Sequence, residues 1–233
     1  MGQKKLIRFR AIDGYDNVLQ YPKDMRGKWA EFFGNDNPIT LELACGKGEY
    51  SVGLGREHKD KNFIGVDIKG NRMYIGATQA LNEGLTNVAF LRTHILQIED
   101  YFEQGEVEKI WIIFPDPFLR ESRENNRLTH PRFLYRYQRI LKKGGTVNLK
   151  TDSKELYDYT QEVIKEIGCE IVEDIQDIYG KGKATGALAI QTHYEKMHLA
   201  DGRLINYLAF RLPEGEIDIP ERHKKHKAIE RGD

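Results

Sequence analysis

Between residues 38 and 150, short apolar runs alternate with helical patterns, and few architectures accommodate that alternation. The runs at 39–43, 62–66, 88–91, 109–114 and 146–149 are rich in Ile, Val, Leu or Phe and are bounded by Gly, Asn, Asp or Pro. Stretches near 48–58, 70–83, 130–141 and 154–167 have helical spacing. Parallel neighbours need a crossover, and a helix of this length supplies one. The pattern therefore predicts an α/β fold, a Rossmann-like, doubly wound, mainly parallel sheet with helices on both faces. Two later runs, 170–175 and 204–210, read as strands of an antiparallel C-terminal edge pair. The glycine-rich 180–186 stretch between them reads as a mobile loop. Gly34-Asn35-Asp36-Asn37-Pro38 is turn-rich and separates a basic extension, 1–37, from a domain spanning 38–212. The charged tail 213–233 reads as frayed.

Composition narrows the function classes. The chain has no run of eighteen apolar residues, and its first residues lack an apolar signal core, so a cytoplasmic protein with no membrane partner is expected. Cys45 and Cys169 form no CxxC, and His223 and His226, the closest histidine pair in sequence, fall in the charged tail. No metal site and no disulfide framework are expected. Thirty-six basic and thirty-six acidic side chains balance to zero, which argues against a nucleic-acid protein until their distribution is considered. Residues 1–10 carry Lys4, Lys5, Arg8 and Arg10 with no acidic residue. Residues 117–143 carry eight basic side chains against Glu121 and Glu124. Such a strip is either a solvated face or a surface for phosphates. The sequence leaves the oligomeric state open between monomer and homodimer.

One turn carries the first chemical signal. Leu41-Glu42-Leu43-Ala44-Cys45-Gly46-Lys47-Gly48-Glu49 leaves the first of the five runs and opens a helix. Gly46 and Gly48 let backbone approach a ligand, though a Gly-x-Gly turn can equally serve packing alone. The next run ends Phe63-Ile64-Gly65-Val66-Asp67, which puts a carboxylate where a ribose would be held, about twenty residues on. The third glycine of a dinucleotide fingerprint is missing, and Glu42 and Glu49 would repel a pyrophosphate. S-adenosyl-L-methionine has no phosphate and carries an amino group and a sulfonium, so acidic walls suit it. At the end of the fourth run Phe114-Pro115-Asp116-Pro117 brings Asp116 toward the same crevice, with an ordinary turn as the competing reading.

With these pieces in place the chain resembles the bacterial tRNA (guanine-N7-)-methyltransferases. The resemblance runs from Ile39 to Phe210 and rests on ordered motifs: Glu42 to Glu49, Ile64-Gly65-Val66-Asp67, Asn87 to Arg92, and Ile113-Phe114-Pro115-Asp116-Pro117. Arg127-Leu128-Thr129-His130-Pro131-Arg132-Phe133-Leu134, Leu149-Lys150-Thr151-Asp152 and Gln191-Thr192-His193-Tyr194-Glu195 follow. It implies that Glu42, Gly46, Gly48 and Asp67 hold the methyl donor, with His94 at the adenine-contacting position and Asp116 shared between donor and guanine as the catalytic candidate. Arg120, Asp152, Thr192, His193, Tyr194 and Glu195 match positions that contact the substrate nucleotide, and the implied partner is tRNA, methylated in its variable loop. Three departures stand out. Ala44 replaces a usual glycine, His94 replaces an acidic residue, and Phe118-Leu119-Arg120-Glu121-Ser122-Arg123 replaces a Trp followed by a dense basic run.

The residue types fit that chemistry. Guanine N7 has an in-plane lone pair and no proton, so alignment and stabilisation of developing positive charge matter more than a strong base. Carboxylates serve both ends and reject adenine, which lacks guanine's N1–H and N2–H donor pair. Alternatives remain at this level. Thr192 and Glu195 could form a capping box, Asp152 could cap the helix near Lys154, and Cys45 reads as a small packed residue. A methyltransferase of the same fold acting on a small molecule or another RNA base would leave the basic strip incidental. A non-catalytic RNA-binding protein is suggested by Ala44 and His94 and opposed by Glu42, Asp67 and Asp116.

Overall fold

Leu41 is wholly buried, and so are its neighbours on both sides of it in the strand Ile39–Leu43; such a strand can only sit inside a covered sheet. In the computed structural model, which describes residues 2–224, it is the second of eight strands. They are β1 (Val18–Gln20), β2 (Ile39–Leu43), β3 (Asn62–Asp67), β4 (Val88–Arg92), β5 (Val107–Ile113), β6 (Leu141–Thr151), β7 (Glu170–Ile175) and β8 (Asn206–Arg211). The helices are α1 (Gly2–Ala11), α2 (Trp29–Phe33), α3 (Glu49–Glu57), α4 (Gly70–Asn82), α5 (Pro131–Gln138), α6 (Lys154–Glu166), α7 (His193–Ala200) and α8 (Glu221–Lys224).

The sheet order is β1-β4-β3-β2-β5-β6-β8-β7. Pairs from β1 to β6 are parallel, whereas β8 runs antiparallel to both β6 and β7. The chain winds one way from β2 through β3 to β4, then returns to add β5 and β6 on the other side of β2. That reversal opens a crevice beyond the carboxyl ends of β2 and β5, the place where open α/β sheets bind ligands. The expected doubly wound sheet and its antiparallel C-terminal edge are both present.

Side-chain alternation separates two cores. Ile39, Leu41 and Leu43 of β2 join Ile110 and Ile112 of β5 beneath α5 and α6. Trp111 and Ile113 point the other way, toward Tyr50 and Val52 of α3 and Met73 and Ala77 of α4. Thr40 and Glu42 also lie on that second face of β2, as the period of two requires. Glu42 is thereby buried under α3.

The ends of the chain are more integrated than their composition suggests. β1 adds to the sheet beside β4, and Trp29 is fully buried, stacked on Phe102 at 5.1 Å and donating its indole N–H to the Tyr101 carbonyl at 2.8 Å. Beyond Pro213 the backbone does not fray through Lys224. Gln138 holds the carbonyls of Pro213 and Gly215, Ile217 is buried, and Arg222 pairs with Glu166. His226 lies outside the described residues. The 180–186 stretch is likewise folded back, Lys183 donating its backbone N–H to the Ile178 carbonyl and Gly180 donating to Asp177.

A glycine in α4 sets the depth of the crevice. A Cβ on Gly76 would sit 2.4 Å from the Lys47 carbonyl oxygen, 2.9 Å from the Phe90 ring and 3.2 Å from the Gly48 Cα. Only the missing side chain lets the loop after β2 rest on α4. In an open helix Gly→Ala stabilises by about 1 kcal/mol. At this position we expect Gly76→Ala to destabilise by roughly 1–3 kcal/mol through overpacking. Thermal unfolding checks this, and a raised Tm would contradict the close approach.

Candidate active site

The loop after β2 owes its shape to three alternate left-handed positions, Ala44 (φ 55°), Gly46 (φ 55°) and Gly48 (φ 68°). Gly48 begins α3 and has a packing reason as well: a Cβ there would lie 2.3 Å from the Phe90 ring. Ala44 takes the same conformation without glycine's freedom, a strain of roughly 1–2 kcal/mol. Backbone held this way at a ligand-binding turn is a recurring feature of functional sites.

Asp67 ends β3 and is gripped from two sides. The Gly46 N–H donates to its Oδ2 at 2.8 Å and the Lys69 N–H to its Oδ1 at 2.8 Å. Each oxygen keeps a further lone pair, and the carboxylate lines a cleft of about 520 Å³. The same cleft is lined by Ala44, Thr93 and His94 after β4, Phe114 and Asp116 after β5, and Arg132 at the start of α5. Of the residues expected to hold a nucleoside-like ligand, Asp67, His94 and Asp116 therefore share one space. Gly46 stands behind it through Asp67, and Gly48 supports it by packing. The lining also carries Lys69, Arg72 and Arg132 beside the carboxylates Asp67 and Asp116. The two carboxylates suit a cationic nucleoside such as S-adenosylmethionine.

Glu42 is placed differently. It lies under α3, where its Oε2 accepts from the Ser51 N–H at 2.8 Å and the Ser51 hydroxyl at 2.5 Å. Burial raises its pKa to about 7, against the lowering effect of those two hydrogen bonds. Burial also pushes the Cys45 thiol well above its usual range, with Glu42 and Asp67 adding to the effect, so Cys45 is a packed residue and not a nucleophile.

Asp116 occupies a turn with strained flanks. Phe114 (φ 46°) and Phe118 (φ 42°) are both left-handed, and the Phe118 N–H donates to Asp116 Oδ1 at 3.2 Å. Arg127, which the sequence places in the basic strip, is buried here. It donates to the carbonyls of Pro117 and Phe118 and stacks on Tyr159 at 4.2 Å. The rest of that strip divides. Arg120 and Arg123 are exposed beside the Asp116 turn. Arg139 pairs with Glu99 at 2.7 Å, Lys142 with Glu108 at 2.7 Å and Lys143 with Glu214 at 3.0 Å, where α5 ends and β6 begins. Of the two readings of 117–143, ion-paired surface fits Arg139, Lys142 and Lys143, while Arg120 and Arg123 stay exposed beside the Asp116 turn.

Asp152 follows β6, and the helix cap beside it is Ser153, whose hydroxyl accepts from the Leu156 N–H at 3.1 Å. Asp152 instead pairs with Arg203 at 2.7 Å and lies 3.6 Å from His198 Nδ1. His198 in turn faces the Phe114 ring at 5.6 Å, which connects Asp152 to the Asp116 turn. Neither Arg203 nor His198 is legible as a site residue from sequence spacing. The residues 192–195 open α7: Thr192 caps it by accepting from the Glu195 N–H at 3.2 Å, and the His193 N–H donates to Glu49 Oε2 at 3.1 Å. His193 and Tyr194 are exposed, whereas Glu195 is completely buried. Half of the anticipated capping box is present. The Glu195 side chain goes elsewhere, to Lys150.

The tail brings together histidines that sequence distance separates. His223 packs edge-on against His130 at 4.8 Å, and Glu124, His130 and His223 hold ligand-type atoms within 4.8 Å of one another. His130 Nδ1 accepts from the Arg132 N–H at 3.1 Å as an α5 cap, and His223 lies between Glu124 (3.1 Å) and Glu166 (3.4 Å). These partners give the group a use in docking the tail. No helix among the described residues is long and apolar enough to cross a membrane.

A switch-point cleft with a strand-end carboxylate held by a glycine turn is the arrangement of a Rossmann-like methyltransferase, and comparison with known proteins makes the class more particular. A family model described as "Putative methyltransferase" matches residues 36–207. The tRNA (guanine-N(7)-)-methyltransferase of Bacteroides fragilis (strain YCH46) is 46% identical over 231 residues, covering 95% of this chain and 91% of that one. The protein of the same name from Christiangramia forsetii (strain DSM 17595 / CGMCC 1.15422 / KT0803) is 46% identical over 223 residues, 91% of this chain and 100% of that one. The solved structure of the 16S rRNA methyltransferase KamB shares the fold with a TM-score of 0.63 at 13% identity, over 84% of this chain and 99% of that one. The chain belongs to the tRNA (guanine-N(7)-)-methyltransferase family.

The Glu42 geometry yields a pH test. Its folded pKa of about 7 exceeds the ordinary 4.5, so the folded state keeps a proton that the unfolded state has lost between those values. Stability is then full below pH 4.5 and falls as pH rises to 7. Across that window the wild type should lose about 3 kcal/mol relative to Glu42→Gln. Urea unfolding of both proteins from pH 4.5 to 8 checks this, and parallel stability curves would show that Glu42 is not buried as described.

Proposed function

We propose that the protein transfers a methyl group from S-adenosylmethionine to N7 of a guanine in tRNA. The observation that carries the reading is the 46% identity to tRNA (guanine-N(7)-)-methyltransferases over almost the whole chain, joined to a cleft where Asp67 and Asp116 face the same space. The target we favour is a guanine of the variable loop, and the compartment the cytoplasm, where tRNA is modified.

S-adenosylmethionine, when bound, supplies an electrophilic methyl on a sulfonium. The residues that would hold it are Asp67, positioned by Gly46 and Lys69 to accept from ribose hydroxyls, and His94 on the side of the base. Guanine N7 would attack that methyl with its own lone pair, the N–C bond forming as the S–C bond breaks and the electron pair staying on sulfur. No proton would be transferred, so the chain would need no general base. Positive charge would develop on the guanine ring, and Asp116, which lines the cleft with one oxygen held by the Phe118 N–H, is suited to stabilise it. Asp152 is suited to accept from guanine N1–H and N2–H. Arg120 and Arg123 are exposed next to the Asp116 turn and suited to phosphates.

Asp116→Asn keeps the size and turn geometry and removes the charge. Methyl transfer should fall by on the order of a hundredfold, as for loss of one preorganised electrostatic contact. Thermal stability should hold, because the carboxylate is exposed. Single-turnover incorporation of tritiated methyl into unmodified tRNA checks this, and near wild-type turnover would reduce Asp116 to a turn residue.

A further inference from the structure

Lys150 is the least expected charge in the molecule. It lies in the middle of the sheet, on β6, and its side chain and that of Glu195 are both 0% exposed. A buried ammonium is tolerated only when its three protons are all taken. Here they are: Lys150 Nζ donates to the Leu188 carbonyl at 2.9 Å, the Ile190 carbonyl at 3.2 Å and Glu195, with a closest approach of 2.7 Å. Glu195 Oε1 also accepts from the Tyr179 hydroxyl at 2.8 Å. From the α3 side the Tyr50 hydroxyl donates to the Ala187 carbonyl at 2.5 Å. The segment between Tyr179 and Glu195 is thus held from three directions around one ion pair.

The same lysine touches the active cleft through its backbone. Its carbonyl accepts from the Phe114 N–H at 2.9 Å, which fixes the entry to the Asp116 turn, and Asp152 follows two residues later. α7 starts at the ion pair and reaches His198, which faces Phe114 and Asp152.

We infer that Glu195 does not contact the guanine but acts as a positioning residue, paired with Lys150 so that the 179–195 segment and the start of α7 are locked over the carboxyl ends of β5 and β6. His193 and Tyr194, exposed on the first turn of α7, are then presented to the nucleotide by a buried charge pair beneath them. The activity readout rests on the methyltransferase reading above; the anchoring readout does not.

The test is a double-mutant cycle on the full chain with two measurements. Lys150→Met and Glu195→Gln should each raise hydrogen exchange of the amides at 187–196 by about tenfold or more, the loss of roughly one strong buried contact. Each should also slow single-turnover methylation of tRNA by about thirtyfold, and the double variant should fall within about threefold of the slower single, since both remove one shared interaction. Tyr179→Phe, a milder change that keeps the ion pair, should raise exchange of the same amides by about threefold, so the outcome does not depend on the harsher variants folding. Wild-type exchange in Glu195→Gln and Tyr179→Phe, or rate losses that multiply in the double variant, would overturn the inference and return Glu195 to direct substrate contact. Failure of the wild type to methylate guanine would instead defeat the functional reading, with the exchange data still deciding the anchor.

Discussion

Two backbone N–H groups, from Gly46 and Lys69, converge on the Asp67 carboxylate, and much of the molecule is arranged to let them do so. The first comes from a loop bent through left-handed conformations at Ala44, Gly46 and Gly48, the second from the turn into α4. For the loop to reach Asp67, α4 must come within van der Waals range of it, which Gly76 permits. Each oxygen spends one lone pair on the fold and has another for a ligand. Burying a carboxylate is costly unless it is hydrogen-bonded, so the grip stabilises the charge and aims it at once.

The far side of the cleft is built on a different principle. Phe114 and Phe118 hold strained backbone angles, and Arg127 is withdrawn from solvent to tie the carbonyls between them. Asp116 is thereby exposed on a rigid turn, where one oxygen is held by the Phe118 N–H. Between the Asp116 and Asp152 edges runs β6, whose Lys150 satisfies loop carbonyls and a carboxylate at once. The Asp116 turn, Asp152 and the start of α7 therefore hang on one strand: moving Lys150 would disturb Phe114, Asp152 and α7 together.

How much of this was legible in the sequence depended on distance along the chain. The strands from 39 to 151, the turn at Gly46 and Gly48, and the strand-end carboxylates Asp67 and Asp116 are local signals, and they stand where periodicity and turn chemistry put them. β1 was missed because three half-buried residues carry too short an alternation to read. Trp29 falls in a polar stretch, and its burial depends on Phe102, 73 residues on (102 − 29). The basic strip at 117–143 looked uniform because its partners Glu99, Glu108 and Glu214 are remote or downstream. Thr192 and Glu195 read as a capping box and proved half of one, since a buried lysine 45 residues away claims the glutamate. Pairings set by sheet order leave no trace in spacing.

Transfer of a methyl group to N7 of guanine is the central activity proposed for this protein, and that atom can be identified chemically. The purified protein, S-adenosylmethionine and unmodified tRNA are incubated, and the tRNA is then reduced with borohydride and cleaved with aniline, which breaks the chain only at N7-methylguanine. Cleavage at one guanine, dependent on protein and donor, is the predicted result. Methyl incorporation into tRNA without any aniline cleavage would place the methyl on another atom and contradict the account.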